Sequence, residues 1–230
     1  RRQRQMCIRD RTSSLAARWR HLREDLPSST RLLAVSKGHP SSSIRALAQL
    51  GQRAFGESRL QEALPKQEDL VDLEIDWHFI GRLQSNKVRS VVKAFSVIHS
   101  VDSLALAERV SRISAEEEVS PSVLLQVKLR PDPSKGGFDA NHLQSVWPQI
   151  STLPAVRVVG LMTMAPLDCL AIDRQALFRE CRDLADRLAL PDCSMGMSGD
   201  WREATAAGST WLRVGSALFG ARPVSAPAMG

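Results

Sequence analysis

Short apolar runs alternate with amphipathic segments along almost the whole chain. The runs predict buried parallel strands, and the segments between them carry apolar residues three or four positions apart, as helices packed on one face do. Eight strand-helix units in 230 residues predict a closed (β/α)8 barrel of the TIM type rather than an open doubly wound sheet. The predicted strands lie at 32–36, 53–55, 77–80, 95–98, 123–127, 156–161, 193–195 and 211–214.

Polar residues next to the apolar stripes predict where the helices begin. An additional helix is expected before the barrel at 13–26, because Leu15, Trp19 and Leu22 fall on one helical face. The expected N-caps are a serine of 41–43, Asp102 and Asn141, and the helices after the second and seventh strands are expected to begin at Glu57 and Gly199.

Lys37 stands directly after the first predicted strand, in the stretch LLAVSKGHP. Gly38 and Pro40 break the chain behind it, so the amine is held where the strand ends. Barrels of this type place their chemistry at the carboxyl ends of the strands. A lysine after a strand is usually a solvated loop residue, so Lys37 becomes a candidate only together with other groups at the same end.

The loops after the seventh and eighth strands supply such groups, because they commonly form the phosphate site of a TIM-type barrel. MGMSGDW places Ser198 beside a predicted helix start, and VGSALFG places Gly215 and Ser216 at another. Backbone N–H groups at helix starts, hydroxyls and glycines suit a phosphate dianion. Either serine alone would more often be a simple N-cap, so their joint placement is what predicts the site.

An amine that faces a phosphate site across the barrel mouth suggests a bound aldehyde carrying a phosphate, and pyridoxal 5'-phosphate (PLP) combines the two. Lys37 would form a Schiff base with it. Arg213 interrupts the apolar run WLRV two residues before Gly215, and a buried guanidinium requires an acceptor. The pyridine nitrogen is one candidate acceptor, and an ion pair at the barrel end is the alternative.

Six ordered blocks of the chain resemble the pyridoxal phosphate homeostasis proteins, also called proline synthase co-transcribed proteins. The blocks, which run from about residue 31 to residue 222, are AVSKGHP, FGESRLQE, WHFIGRLQSNK, SKGGF, GLMTMAP and SMGMSGDWREATAAGSTWLRVGSALFGAR. The resemblance implies a barrel like the N-terminal domain of alanine racemase, in a cytoplasmic monomer. It also implies a protein of PLP homeostasis that buffers the cofactor or delivers it to apoenzymes, without an established turnover reaction.

The resemblance further assigns roles to single residues, which are the Schiff-base lysine Lys37, the phosphate residues Ser198, Gly215 and Ser216, and Arg213 at the pyridine nitrogen. One position departs from the pattern. Where many members have FGEN, this chain has FGES, so Ser58 replaces an asparagine near the cofactor. Its shorter side chain changes the hydrogen bonds available at that contact.

Three more residues carry weaker signals. Lys135, in the loop SKGGF, is expected to be solvated, with a phosphate or cofactor-transfer role as the alternative. His78 is expected to be a hydrogen-bonded barrel residue rather than a base, and Cys193 is expected to pack rather than act as a nucleophile.

An amino-acid racemase is the alternative to a carrier protein. By the family resemblance, racemases of this barrel type take a tyrosine base from an additional β domain of a partner subunit. The chain contains no tyrosine, and no such domain is expected in it. An arginine at the pyridine nitrogen would also weaken the ring as an electron sink. The residues therefore favour a carrier without catalysis.

The net charge of +6 would indicate a nucleic-acid partner only if it were spread over the barrel. Residues 1–24 hold eight arginines against two acids, so the remaining chain sums to zero. The residues through Asp10 resemble a translated sequencing adapter. Residues 1–11 are therefore excluded as a non-native segment, which leaves a barrel domain at 12–222 and a frayed tail at 223–230. No nucleic-acid, membrane or metal partner is expected, and the four cysteines are interpreted as reduced thiols of a cytoplasmic protein.

Overall fold

Eight parallel strands pair in chain order, and the last pairs back with the first, so the sheet closes into a barrel. The computed structural model describes residues 15–132, 135–166 and 169–221. Helices follow the strands and surround the barrel. The predicted TIM-type (β/α)8 fold is thereby confirmed.

The elements are short and follow one another with brief connections. The strands are β1 Arg31–Val35, β2 Ala54–Glu57, β3 Asp76–Phe79, β4 Val97–Val101, β5 Ser122–Gln126, β6 Arg157–Met162, β7 Asp192–Ser194 and β8 Trp211–Val214. Residues 15–25 are helical and are called α1. The other helices are α2 Ser41–Gln49, α3 Leu60–Asp69, α4 Val88–Ala94, α5 Leu104–Glu116, α6 Ala140–Ile150, α7 Ala171–Arg187, α8 Trp201–Ala206 and α9 Ser216–Phe219. A 3-10 turn at Ser85–Lys87 precedes α4.

The strands are buried on both sides, because the barrel interior covers one face and the helices cover the other. In β1, the consecutive residues Leu32, Leu33 and Ala34 are all at most 3% exposed. The helices are buried along one stripe only, as Leu177 and Cys181 show in α7. No helix in the described part of the chain is both long and apolar enough to cross a membrane.

Two N-caps lie one or two residues away from the predicted positions. Ser103, not Asp102, caps α5, and its Oγ accepts a hydrogen bond from the backbone N–H three positions later at 3.3 Å. Asp139 caps α6, where its Oδ1 accepts from the N–H groups two and three positions later at 2.9 and 3.2 Å. Asn141 therefore lies inside the first turn. Neighbouring polar side chains can all serve as caps, and the path of the backbone decides which one reaches the helix.

Two other helix starts also differ from the predictions. Pro40 is the N-cap residue of α2 and makes no side-chain cap, so the serines of 41–43 form the first turn instead. Proline is tolerated at a helix start because the missing N–H has no partner there in any case. Helix α8 begins at Trp201 rather than Gly199, with Asp200 as its N-cap residue.

Glu57 ends β2 and does not begin a helix, because the strand extends two residues further than predicted. Its carbonyl accepts a hydrogen bond from the N–H of Ile80 at 2.9 Å, and α3 begins only at Leu60. The strand predicted at 95–98 is likewise displaced, and β4 begins at Val97.

The predictions for the two ends of the chain lie outside the described residues. These are the adapter-like segment 1–11, the first residues of the helix predicted at 13–26, and the tail 223–230. The helical residues 15–25 agree with the part of the prediction that can be compared. This helix contacts the barrel mouth, because Arg18 Nε donates to the carbonyl of Leu218 in α9 at 2.6 Å.

The caps of α6 give a direct comparison of prediction and structure. Asp139→Ala should lower the free energy of unfolding by about 1 kcal/mol, because two backbone donors lose their acceptor. Asn141→Ala, two residues away and also exposed, should change it by less than about 0.5 kcal/mol. Urea unfolding followed by circular dichroism measures both. A larger loss for Asn141→Ala would contradict the observed cap.

Candidate functional site

Lys37 lies in a tight turn that continues β1. The N–H of Ser36 donates to the carbonyl of Gly56 at 3.0 Å, so the pairing with β2 extends to the residue before the lysine. The N–H of His39 donates to the carbonyl of Ser36 at 3.0 Å and closes the turn. Gly38, at the third position, has φ of +74°, the sign that a type II turn requires and that glycine adopts without strain. The backbone of Lys37 is therefore fixed at the carboxyl end of β1.

A cavity of about 480 Å³ opens at this end of the barrel. Five of the six predicted site residues line it, namely Lys37, Ser198, Arg213, Gly215 and Ser216. The closure of the barrel explains the grouping, because β8 pairs with β1 and the loops after β7, β8 and β1 are therefore neighbours. The structure brings these residues to one space, and their roles toward a ligand stay predictions.

Ser198 and Ser216 lie on one side of the cavity, where α9 begins. Ser216 is the first residue of this four-residue helix. The Oγ of Ser198 accepts a hydrogen bond from the N–H of Ala217 at 3.2 Å, so its hydroxyl contacts α9 and not the helix that follows it in sequence. A Cβ added to Gly215 would meet only an ordinary contact, with the carbonyl oxygen of Val35 at 3.5 Å. Crowding within the chain therefore does not explain the glycine.

Arg213 is buried in β8, with 5% of its surface exposed, and it reaches the cavity wall. Its Nη1 donates to the carbonyl and the Oγ of Ser194 at 2.6 and 2.8 Å, and its Nη2 donates to the carbonyl of Thr163 at 2.9 Å. The guanidinium therefore has acceptors within the barrel and is held in one orientation. Burial lowers the pKa of Arg213 to about 10, which leaves it charged at neutral pH.

A chain of buried polar groups leads from Arg213 into the barrel. Ser194 Oγ lies 2.9 Å from His99 Nδ1, and His99 Nε2 lies 2.8 Å from His78 Nδ1. Because the guanidinium can only donate, we assign Ser194 as its acceptor and as the donor to His99, which then donates to His78. His78 is thus a hydrogen-bonded barrel residue, in agreement with the prediction.

Both histidines are held in the neutral form. Burial lowers the pKa of His78 to about 3, with a smaller contribution from the charge of Arg31. Burial also lowers the pKa of His99 well below its usual value, and the charges of His78, Arg213 and Arg31 act in the same direction. These two histidines therefore add no positive charge beside Arg213 near pH 7.

The other predicted residues lie elsewhere. Ser58 follows β2 and is not among the described residues that line the cavity, so its contact with a cofactor stays a prediction. Lys135 is not solvated as expected, because its Nζ donates to the carbonyl of Ala165 at 3.1 Å and pairs with Asp132 at 3.2 Å. Cys193 is fully buried, as a packing residue would be.

Sequence reasoning missed several lining residues. His39 lines the cavity and stacks on Phe219 of α9, with ring centroids 4.6 Å apart. Its position two residues after Lys37 in the same turn was the available signal. The methionines Met162, Met164 and Met197 also line the cavity, and nothing in their spacing pointed to it.

The groups around the cavity fit a phosphorylated aldehyde. Their donors are an amine, two hydroxyls and a guanidinium, and the described lining residues include no carboxylate that would repel a phosphate. The remaining wall is apolar and includes Val35, Ile80 and Met162, which suits an aromatic ring. Lys37 would hold the aldehyde carbon, the serines the phosphate, and Arg213 a ring acceptor.

Comparison with known proteins agrees with this fold. The family model for the alanine racemase N-terminal domain matches residues 11–223. A pyridoxal phosphate homeostasis protein from Synechocystis sp. is 48% identical over 204 residues, which are 86% of this chain and 94% of the relative.

Solved structures also match this chain over most of its length. PipY from Synechococcus elongatus, with PLP bound, is 50% identical and superposes with a TM-score of 0.86 over 90% of this chain and 100% of that chain. PipY without PLP superposes with a TM-score of 0.88. An alanine racemase from Clostridium difficile, 13% identical, superposes with a TM-score of 0.74 over 92% of this chain and 56% of its own, which shows the shared fold alone.

The buried histidines predict how stability depends on pH. Their pKa values are lower in the folded than in the unfolded chain, so the unfolded chain binds more protons as the pH falls below 6.5. The free energy of unfolding should therefore fall by up to about 1.4 kcal/mol per pH unit for each histidine between pH 6.5 and 5. His78→Gln should reduce this slope, whereas His142→Gln, at an exposed position, should not. Equal slopes in the two variants, measured by urea unfolding, would contradict the assignment.

Proposed function

This chain belongs to the pyridoxal phosphate homeostasis protein family, and from that premise we propose that it binds PLP as a Schiff base on the Nζ of Lys37. The observation that carries the proposal is the convergence of Lys37, Ser198, Ser216 and Arg213 on one cavity. A phosphorylated aldehyde can be held by an amine and by hydroxyl and N–H donors that line one space, and residues of these types line this cavity. The PLP-bound structure of PipY supports the choice of PLP.

Different lining residues would hold different parts of PLP. The hydroxyls of Ser198 and Ser216, with the backbone at Gly215 and the start of α9, form the predicted phosphate site. Arg213 is charged, so it would donate to the pyridine nitrogen and keep that atom unprotonated. The bound cofactor supplies an aldehyde that condenses reversibly with amines.

These roles suit storage and delivery better than turnover. A reversible link to Lys37 retains the cofactor while free PLP is abundant and releases it to an apoenzyme when free PLP is scarce. A buried positive charge at the pyridine nitrogen opposes its protonation and so weakens the ring as an electron sink. The proposal therefore describes a PLP carrier that acts as a monomer in the cytoplasm, with PLP-dependent apoenzymes as recipients.

A racemase-type activity is the second candidate, and one observation favours it. His39 lines the same cavity as Lys37, so two groups able to move a proton face one space. Removal and return of a proton on opposite faces of an amino acid would need both. The carrier is preferred because Arg213 does not assist such chemistry.

The Schiff base has a direct chemical test. Protein incubated with PLP should show visible absorbance that disappears on borohydride reduction, and peptide mapping should place the reduced adduct on Lys37. Lys37→Ala should abolish the adduct, because the other described lining residues include no second lysine. Adduct formation on a different lysine would falsify the assignment.

A matched pair of variants separates the two halves of the site. Lys37→Ala should retain weak noncovalent binding, whereas Ser216→Ala should retain the Schiff base and raise the dissociation constant for PLP at least about tenfold, as expected for one lost hydrogen bond to a charged group. Equilibrium dialysis measures the retention of cofactor by each. If Ser216→Ala bound PLP as tightly as the unsubstituted chain, the predicted phosphate site would be wrong.

Isotope exchange distinguishes the carrier from the racemase. PLP-loaded protein, incubated with L-alanine in deuterated water, should incorporate deuterium at the α-carbon no faster than free PLP at the same concentration. Mass spectrometry and chiral chromatography measure incorporation and configuration. Steady incorporation that His39→Gln abolishes would overturn the carrier and establish the two-base alternative.

A further inference from the structure

Helix α3 contacts the turn that carries Lys37 on both sides of the lysine. The Nζ of Lys66 donates to the carbonyl of Ser36 at 3.0 Å, and the Oε2 of Glu62 accepts from the N–H of Gly38 at 3.0 Å. Glu62 and Lys66 are four residues apart, so they share one face of the helix. The residues before and after Lys37 are therefore both held by the same helix.

A buried ion pair supports one of these contacts. Lys66 Nζ lies 2.7 Å from Oε1 of Glu57, and the hydroxyl of Ser36 donates to the same oxygen at 2.7 Å. Glu57 is 0% exposed and Lys66 is 9% exposed. Glu57 comes from the end of β2, so the residue before Lys37 is bound by a strand and a helix at once.

Stability alone does not account for this arrangement. Removing two charges from water costs several kcal/mol for each, and a buried pair often contributes no more than well-packed apolar residues would. Oε2 of Glu57 is also buried without a hydrogen-bond partner in the described part of the chain. Burial accordingly raises the pKa of Glu57, although Lys66 and Ser36 oppose the shift.

None of Glu57, Glu62 and Lys66 is among the described residues that line the cavity. Their hydrogen bonds to the turn are what connect them to the lysine that lines the cavity. A lysine side chain has four rotatable bonds, so the position of its amine is set by how firmly its backbone is anchored and by the walls around it. A displacement of about 1 Å in a reacting group can cost about a hundredfold in rate.

We propose that Glu57, Glu62 and Lys66 are positioning residues that hold the Ser36–His39 turn so that Lys37 meets an aldehyde in the cavity. This inference rests on the proposed Schiff base. In the reaction, the neutral Nζ of Lys37 adds to the aldehyde carbon and a C=N bond forms. The aldehyde oxygen leaves as water with the two amine protons. The three residues accelerate this step without touching the aldehyde.

The test compares two ligands that differ at one group. PLP carries the aldehyde, and pyridoxine 5'-phosphate has an alcohol in its place, so the second reports the cavity and phosphate site without the imine. In Lys66→Met the rate of imine formation, followed by stopped-flow absorbance, should fall at least about tenfold. The affinity for pyridoxine 5'-phosphate, measured by calorimetry, should stay within about twofold.

A matched control and a milder variant keep the test independent of folding. Gln67, the neighbour of Lys66 on α3, donates to the carbonyl of Ala94 at 2.8 Å, away from the turn. Gln67→Met removes one hydrogen bond from the same helix and should leave the rate of imine formation unchanged. Glu62→Ala removes the contact with Gly38 at a partly exposed position, and it should slow the reaction severalfold in a folded protein.

The outcomes separate the inference from the function on which it rests. If the unsubstituted chain forms no imine on Lys37, the proposed function fails first. If it does, and Lys66→Met and Glu62→Ala react at its rate, the positioning role is overturned. The same holds if the affinity for pyridoxine 5'-phosphate falls as much as the rate, because the effect would then be on the whole site.

Discussion

The pairing of β8 with β1 is the interaction on which the site depends. Leu33 lies opposite Arg213 in the register of these strands, so both strands end at the same level of the barrel. Gly215 directly follows β8, and Ser36 directly follows β1. Barrel closure therefore places an amine-bearing turn beside the start of a helix, which is the combination that a phosphorylated aldehyde requires. The strand pairing decides which groups are neighbours, and the loops set only their detailed positions.

Two buried polar networks border the cavity, and each bears on one end of the predicted ligand. One connects Arg213 through Ser194 to the histidines of β3 and β4, and the other connects Lys66 and Glu57 to the turn of Lys37. Apolar side chains in these positions would avoid the desolvation cost of buried charge. The polar residues instead fix orientation, because Arg213, Ser194 and His99 in the first network each hydrogen-bond at least two groups, as do Lys66 and Glu57 in the second.

The sequence was sufficient for the barrel and for the end of it that holds the site, because alternating apolar runs and the carboxyl-end rule depend on local pattern and topology alone. It was not sufficient for contacts between elements. Ser198 was predicted to stand at the start of the helix after the seventh strand, but its hydroxyl contacts α9 at Ala217, nineteen residues later. In the sequence, Glu57 was predicted to begin a helix, and nothing in its pattern marked Lys66 as a buried residue. Only the packing of α3 against β2 and the turn after β1 shows that they meet next to the residue before Lys37.

The most direct measurement of the central claim is a crystal structure of the full chain grown with PLP. The expected result is continuous density between Lys37 Nζ and the aldehyde carbon. The phosphate should lie within hydrogen-bond distance of Ser216, and Arg213 should lie against the pyridine nitrogen. Cofactor density attached to another lysine, or a phosphate placed away from Ser198 and Ser216, would contradict the proposed site.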